Sequence, residues 1–432
     1  MSLISERAPQ LRENIGANAY GFVATMGSQL CTVPVLLATW TTRFYGEWLI
    51  LTAVPSYLAL ADVGLSTAIA NEMVMENAGG DKLKVQRLAS TQVKFWLWAT
   101  VALIPTVVIG SVGVNWAHTL SLTEISAIDA NVVVLCLGFY AILTLWGGVF
   151  YAHYRCEDKN ADFILFQNHF RILEQIVLCI VAVAHATAAG CAVSLLLTRL
   201  VSSAYFASKC LKFKECRLSA VNGRLAELKN MIGPSMASLS FIAGNMISGQ
   251  GILLALNATV GPTGVAAFSP VRTLTRIIAQ IGNIVKHGLW PEISHLFGAD
   301  SMSDVWRLAR LGSRSFLILA TAAILALTSV GPWFTIHWTS GKVVPTRAFV
   351  FAMAMGAAVN GLWNINMGIL QAINRHREGA LVYLIGTGCA VGSVFYTSKW
   401  GLVGVGYGVA LSELLVLAWS LVRLQKIASI RR

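Results

Sequence analysis

The sequence predicts an all-α membrane protein with twelve transmembrane helices in two six-helix bundles. Three observations support this prediction: apolar runs recur along the chain, basic residues fall on one side of these runs, and the second half echoes the first. Of the 432 residues, 56% are hydrophobic and only 12% are charged. A soluble domain carries roughly twice that share of charge. The composition therefore excludes a soluble enzyme, a secreted disulfide scaffold and a disordered regulator.

The spans are defined by apolar runs long enough to cross a bilayer core of about 30 Å as a helix. They are 15–39, 47–71, 93–114, 130–151, 164–185, 189–208, 230–256, 264–287, 313–336, 346–373, 379–397 and 401–422. The loops between them are too short to hold a folded soluble domain. The eight cysteines show no C-x-x-C spacing, so we expect them to be small packing residues.

Basic residues give the orientation, because Lys and Arg accumulate on the cytoplasmic side of membrane proteins. Most of the 32 Lys and Arg residues lie in the N-terminal segment, in the loops after even-numbered spans and in the C-terminal tail. The opposite loops hold only Arg43, Lys342, Arg347 and Lys399. We therefore expect both termini in the cytoplasm. The net charge of +12 then reflects topology beside anionic lipid headgroups, not a nucleic-acid partner.

An approximate internal repeat divides the chain. Landmarks of the second span recur 218 residues later in the eighth, with Gly46 matched by Gly264 and Gly64 by Gly282. Six spans per repeat give both halves the same orientation, which predicts parallel repeats about an axis along the membrane normal. The predicted bundles are residues 1–218 and 219–432, enclosing a central cavity.

Ionisable residues within the spans are the candidate functional groups. Each costs about 2.5–3.5 kcal/mol near the bilayer centre, so such groups face the bundle interior or a wet cavity. They are Asp62, Arg171, Glu174, Arg199, Arg272, Arg276 and Glu413. We expect all four arginines and Asp62 to bind substrate, and Asp62, Glu174 and Glu413 to bind a coupling proton or sodium ion. We expect no catalytic group, metal or cofactor.

The repeat relates three of these residues to one another. Removing the offset places Arg272 and Arg276 at Val54 and Leu58, and Asp62 continues that series one turn further along. Residues four apart share a helix face, so the three are predicted to form one stripe lining the cavity. Two arginines one turn apart suit phosphate or carboxylate, because a guanidinium group binds either in a bidentate manner.

A purely structural role is the alternative for these charges. Arg272 and Arg276 would then pair with Asp62 or Glu413 and only hold helices together. Arg171 and Glu174 lie three residues apart on one helix and would neutralise each other. Arg199 lies in the cytoplasmic half of its span and would extend its guanidinium group to the membrane surface.

The second span also carries a family resemblance. Tyr45-Gly46-Glu47-Trp48, then Leu58-Ala59-Leu60-Ala61-Asp62-Val63-Gly64-Leu65 and Asn71, with Ala78-Gly79-Gly80-Asp81 before span three, resembles the helix-two signature of Wzx-type polysaccharide flippases. That family belongs to the MOP superfamily, which includes MATE-type multidrug extruders.

The resemblance implies an inner-membrane protein of O-antigen or other lipopolysaccharide biosynthesis. Its substrate would be an oligosaccharide repeat unit linked to a polyprenyl diphosphate, moved from the cytoplasmic to the periplasmic leaflet. The sugar and diphosphate would enter a cationic cavity while the polyprenyl tail stays in membrane lipid. Alternating access would follow from rocking of the two bundles, with glycosyltransferases and a polysaccharide polymerase as partners.

Two other functions remain open at this point. A MATE-like exporter of small molecules would share the architecture, although a carrier of organic cations would line its cavity with carboxylates and aromatic rings. A membrane glycan polymerase would need an external loop carrying acid–base groups. The longest outside loop, near 115–130, offers only His118, Glu124 and Asp129.

Overall fold

The structure is a computed structural model. It describes residues 3–62, 64–184, 187–214, 216–221, 223–224, 228, 239–240, 242–298, 302–372 and 377–430. All regular elements in these ranges are helical, as the hydropathy pattern predicts.

Helices α1 to α8 account for the first half of the chain. They are α1 (Leu3–Thr39), α2 (Thr42–Ser56), α3 (Leu65–Gly79), α4 (Lys82–Gly113), the one-turn α5 (Trp116–Thr119), α6 (Ala127–Cys156), α7 (Asn160–Val183) and α8 (Ala188–Cys210). A 3₁₀ segment, Tyr57–Asp62, joins α2 to α3.

Six longer or shorter helices account for the second half. A π-helical turn, Ile247–Gly251, leads into the first of them. They are α9 (Ile252–Val260), α10 (Pro262–Gly298), α11 (Met302–Trp338), α12 (Arg347–Ala372), α13 (Arg377–Thr397) and α14 (Gly401–Ile430).

The chain is a multi-pass membrane protein. Within the described ranges, 9 stretches are long and apolar enough to cross a bilayer, and the last of them, Glu378–Ile427, contains both α13 and α14. The polar residues of α10 keep that helix out of this set, although its 37 residues are ample for a crossing. The predicted start of the seventh span, residues 230–238, lies outside the described residues.

Two compact units make up the fold. One comprises Met1–Trp40 and Leu51–Leu239, and the other Thr41–Ile50 and Ser240–Arg432. We refer to them as the first and second units. The predicted boundary after residue 218 falls inside the first unit, because the segment that follows α8 packs back onto α4: Arg224 N donates to Thr91 Oγ1 at 2.9 Å.

A break in the second predicted span is the main departure from the expected helices. The sequence predicts one helix over 47–71, but α2 ends after Pro55, which has no N–H to continue the helical bonding. The 3₁₀ segment follows, and α3 begins after Gly64, whose φ of 72° favours glycine. The Asp62 carboxylate accepts a hydrogen bond from Ser66 N at 3.0 Å and so caps α3.

The repeat counterpart of that broken span, α10, is continuous. Gly282, the partner of Gly64 in the repeat, lies mid-helix against α12, and a Cβ there would lie only 2.7 Å from the Cα of Gly361. The same glycine landmark thus allows a helix break in the first unit and a close helix approach in the second.

Apolar packing holds each unit together. In the second unit, Ile278, Phe316 and Leu370 are fully buried between α10, α11 and α12. In the first unit, an aromatic cluster joins α6, α7 and α8, and a disulfide links Cys156 at the end of α6 to Cys216. The expectation that all cysteines are packing residues is therefore wrong for this pair, because the segment after α8 returns to the end of α6.

Candidate functional site

A polar cavity of about 250 Å³ lies inside the second unit. Its walls come from residues 245–252, which include the π-helical turn, and from α10, α12, α13 and α14. The polar side chains that line it are Asn245, Ser248, Arg272, Thr275, Arg276, Gln280, Asn283, Asn360, Asn364, Tyr383 and Glu413.

Helical periodicity explains how these side chains converge. On α10 the lining residues Arg272, Arg276, Gln280 and Asn283 follow one another at intervals of three or four, which places them on one face. Asn360 and Asn364 are spaced in the same way on α12. The two arginines of the predicted stripe therefore share a face of α10 toward this cavity, which lies within the second unit, and Asp62, a residue of the first unit, is not among its lining residues.

Arg272 is held by backbone and aromatic contacts. Its Nη1 donates to the carbonyl oxygen of Gly249 at 2.6 Å, and its guanidinium lies 5.8 Å from the centre of the Phe268 ring. Gly249 belongs to the π-helical turn, an arrangement that is frequent at functional sites. Among the described residues, no carboxylate forms an ion pair with Arg272 or Arg276.

Glu413 reaches the cavity from α14, and only 9% of the residue is exposed. The indole Nε1 of Trp363 donates to its Oε2 at 2.6 Å, and Asn360 Nδ2 donates to the same oxygen at 3.2 Å. The carboxylate is thus held by two neutral donors. Pairing of Glu413 with the arginines, the structural alternative, does not occur in the described part of the chain.

A row of amide groups crosses from α12 to α10. Lys286 Nζ donates to Asn364 Oδ1 at 3.1 Å, and Asn364 Nδ2 donates to Asn283 Oδ1 at 2.9 Å. Asn283 Nδ2 in turn donates to Gln280 Oε1 at 3.2 Å. Sequence reasoning missed Asn360 and Asn364, although their i, i+4 spacing within an apolar span was a detectable signal.

The buried charges of the first unit are arranged differently. Arg199 on α8 forms an ion pair with Glu174 on α7, with Nε and Oε1 3.0 Å apart. Tyr140 on α6 donates to Glu174 Oε2 at 2.9 Å, and the Arg199 guanidinium donates to the Tyr140 hydroxyl and lies 4.5 Å from its ring centre. Glu174 is 2% exposed. These three residues form a tight cluster around a buried carboxylate.

The remaining predicted residues lie apart from this cluster. Arg171 does not neutralise Glu174; it is exposed and donates to Thr25 Oγ1 on α1 at 2.8 Å. Asp62 caps α3, as described above. The positions that correspond to the two arginines of α10, Val54 and Leu58, line a separate apolar cavity of about 130 Å³ in the first unit.

No family model and no curated protein matches the sequence. Solved structures do match the fold. A multidrug resistance MATE family transporter of the MOP superfamily, in an inward-facing conformation, aligns with 96% of this chain and 99% of its own, at a TM-score of 0.77 and 13% identity. The lipid II flippase MurJ, in an inward closed conformation, aligns with 94% of this chain and 87% of its own, at a TM-score of 0.71 and 11% identity.

A third matching structure is described by the polarity of its binding pocket. It is a MOP superfamily transporter from Pyrococcus furiosus whose binding pocket is described as having reverse polarity that suggests a different function. It aligns with 98% of this chain and 96% of its own, at a TM-score of 0.58 and 13% identity. At these low identities the structural likeness shows the fold alone, which is MATE-like. The three matched proteins are transporters or flippases rather than enzymes.

Proposed function

We propose that the protein is a MOP-superfamily flippase of the Wzx type. It moves an oligosaccharide linked to a polyprenyl diphosphate from the cytoplasmic to the periplasmic leaflet of the inner membrane, with both termini in the cytoplasm. The O-antigen of lipopolysaccharide is the glycan class implied by the resemblance in span two. Glycosyltransferases supply this substrate and a polysaccharide polymerase consumes it.

One observation carries the proposal: Arg272 and Arg276 line a polar cavity, and no carboxylate pairs with them in the described residues. A guanidinium that is not neutralised by protein can bind a diphosphate through two parallel hydrogen bonds. The polyprenyl tail needs no site in the protein, because membrane lipid solvates it. Lipid II flippase activity in a protein of this fold, MurJ, supports the same reading.

The coupling ion is assigned to Glu413. This carboxylate lies in the same cavity as the arginines, so binding of a proton or sodium ion there changes the charge that the substrate meets. Asp62 and Glu174 are weaker proposals for this role, since Asp62 caps α3 and Glu174 is occupied by Arg199.

Export of surface polysaccharide tests the proposal in cells that lack the native protein. We expect the Arg272→Gln, Arg276→Gln double variant to abolish export at normal protein levels, and the double Lys variant to retain part of it. The matched control is Arg310→Gln, because Arg310 is exposed and, like Arg272, donates to a backbone carbonyl. Unimpaired export by the double Gln variant contradicts the proposal.

A second candidate function is ion-coupled export of small organic cations. Glu413 favours it, because a buried carboxylate in a cavity attracts a cation. The two functions predict opposite results: an exporter loses drug resistance when Glu413 is replaced by Gln and keeps it when Arg272 is replaced. A flippase loses polysaccharide export on replacement of Arg272 and confers no resistance at all.

A further inference from the structure

We propose that the amide groups beside the arginines form a sugar-binding subsite, in which Gln280, Asn283, Asn360 and Asn364 bind the hydroxyl or acetamido groups of the sugar next to the diphosphate. This inference rests on the proposed function and adds to it the chemistry of the head group. It begins from the close contact between α10 and α12.

Two glycines bring the amides within reach of one another. Gly282 on α10 faces Gly361 on α12, at a separation that admits no side chain on Gly282. Asn283 and Asn364 therefore meet directly across the helix contact, at 2.9 Å. A larger residue at Gly282 would separate the two helices and break the row, whereas a Cβ on Gly361 would meet the Phe316 ring of α11.

Lys286 fixes the direction of the amide row. Its ammonium group can only donate, so Asn364 must turn its oxygen toward Lys286 and its NH₂ toward Asn283. The same constraint passes along the row and ends at Gln280, which accepts through Oε1. The Gln280 NH₂ is then left as a donor, engaged by no bond in the described residues.

The aliphatic part of the Lys286 side chain packs against Gly368 of α12. A Cβ on Gly368 would lie 2.6 Å from the Lys286 Cγ, so the absence of a side chain at Gly368 makes room for the lysine. This contact holds the ammonium group near Asn364. Lys286 is thus a positioning residue for the row.

Glu413 fixes Asn360 in the opposite sense. An ionised carboxylate only accepts, and Trp363 only donates, so Asn360 must turn its NH₂ toward Glu413. The Asn360 oxygen remains as an acceptor for a ligand. The cavity consequently offers an oriented donor from Gln280 and an oriented acceptor from Asn360.

A group that both donates and accepts satisfies this pair, as sugar hydroxyls and acetamido groups do. A hydrocarbon chain would leave the amides unpaired, which costs binding free energy. The cavity of about 250 Å³ lies just below the usual size range of ligand pockets, about 300–1,000 Å³. It has no room for a whole repeat unit, so the proposed subsite takes only the sugar next to the diphosphate.

The test compares two lipids on purified full-length protein in nanodiscs: a polyprenyl diphosphate, and the same lipid carrying one N-acetylhexosamine. We expect the wild type to bind the glycosylated lipid more tightly, and Asn364→Leu to reduce that preference by about tenfold. Affinity for the sugar-free lipid should not change. Retention of the full preference by Asn364→Leu, or no preference in the wild type, overturns the subsite.

A matched control separates binding from folding. Asn366 lies on the same helix and is buried against Ser420 Oγ at 3.0 Å, but it does not line the cavity. Asn366→Leu should lower stability and leave the sugar preference intact. Loss of the preference in this control would show that any buried amide of α12 matters, and would overturn the specific role of Asn364.

The positioning role of Lys286 has its own readout. Lys286→Arg keeps a group that can only donate, so it should keep the sugar preference, whereas Lys286→Gln can turn the row around and should lower it several-fold. Equal behaviour of the two variants contradicts the role. Arg272→Gln distinguishes the two proposals, because it should weaken both lipids alike; if it weakens neither, the proposed function fails independently of the subsite.

Discussion

The two units treat an arginine inside an apolar segment in opposite ways. In the first unit Arg199 forms an ion pair with the buried Glu174 and a hydrogen bond with Tyr140. In the second unit Arg272 bonds to a backbone carbonyl and lines a polar cavity with Arg276. A charged residue within a membrane span is therefore not itself a sign of function. The partner decides between a structural role and a role in binding.

The physical reason is the cost of removing a charge from water. A carboxylate partner offsets that cost in a dry interior. The two residues then stay paired, because removing either one leaves the other as an uncompensated buried charge. In the polar cavity the Arg272 guanidinium is held by the Gly249 carbonyl and the Phe268 ring instead of a carboxylate, which leaves it able to exchange a neutral contact for an anion. Residues of the first and second units respond differently in the predictions below.

Breaking the buried ion pair should have the largest effect. Glu174→Gln leaves Arg199 buried with no carboxylate, which should lower the free energy of unfolding by about 3–5 kcal/mol. Thermal unfolding of the purified protein in detergent measures this loss. Arg171→Gln, three residues away and exposed, is the control and should change stability by less than about 0.5 kcal/mol.

This experiment also tests an ion-coupling role for Glu174. If Glu174→Gln folds with normal stability but transports poorly, the cluster is functional, and the contrast between the two units disappears.

The glycine landmarks should give the next largest effect. Gly282→Ala inserts a methyl group between α10 and α12 and should cost about 1–3 kcal/mol. Gly64→Ala places a side chain at positive φ and should cost about 1–2 kcal/mol. Only Gly282→Ala should also weaken ligand binding, because only Gly282 lies beside the cavity-lining amides. Equal binding by both variants would refute the role of the helix contact.

Asp62 and Gln280 occupy equivalent positions in the repeat and should respond differently. Asp62→Ala removes the cap of α3 and should cost about 0.5–2 kcal/mol, while Asp62→Asn keeps a capping oxygen. Gln280→Ala in a continuous helix should cost little stability and should reduce sugar-dependent binding instead. Thermal unfolding and lipid binding on the same three preparations decide the matter. A transport defect in Asp62→Asn at wild-type stability would instead support Asp62 as an ion site.

The smallest expected effect on stability is that of the cavity arginines. Arg272→Gln should lower the free energy of unfolding by about 1 kcal/mol at most, because it loses one hydrogen bond to Gly249 but leaves no buried charge unpaired. The difference between the stability losses of Glu174→Gln and Arg272→Gln therefore measures most directly how the two units differ. A loss of several kcal/mol in Arg272→Gln would mean that its contacts are structural.

Much of this arrangement is predictable from the sequence. Hydropathy predicts the helices, and the i, i+4 spacing of Arg272 and Arg276 predicts the shared helix face on which the structure places them. The alternative pairing of Arg171 with Glu174 is wrong, because the carboxylate pairs across helices with Arg199, a choice made by tertiary packing. Periodicity describes one helix at a time and carries no signal for such a partner.

The helix break and the amide row were also beyond hydropathy. The sequence alone does not distinguish a glycine that adopts positive φ, such as Gly64, from one that lies against another helix, such as Gly282. Asn360 and Asn364 carry no charge, so a search for costly ionisable groups passes over them. Their spacing was visible, but its meaning depends on the contact between α10 and α12.

The most direct test of the account is equilibrium binding of a polyprenyl diphosphate and of the uncharged polyprenol to the same protein in nanodiscs. The wild type should prefer the diphosphate, and the Arg272→Gln, Arg276→Gln double variant should lose at least about tenfold of that preference, since hydrogen bonds between charged groups are strong. Arg310→Gln should keep it. If the double variant prefers the diphosphate as strongly as the wild type does, these arginines do not bind the head group and the central claim is wrong.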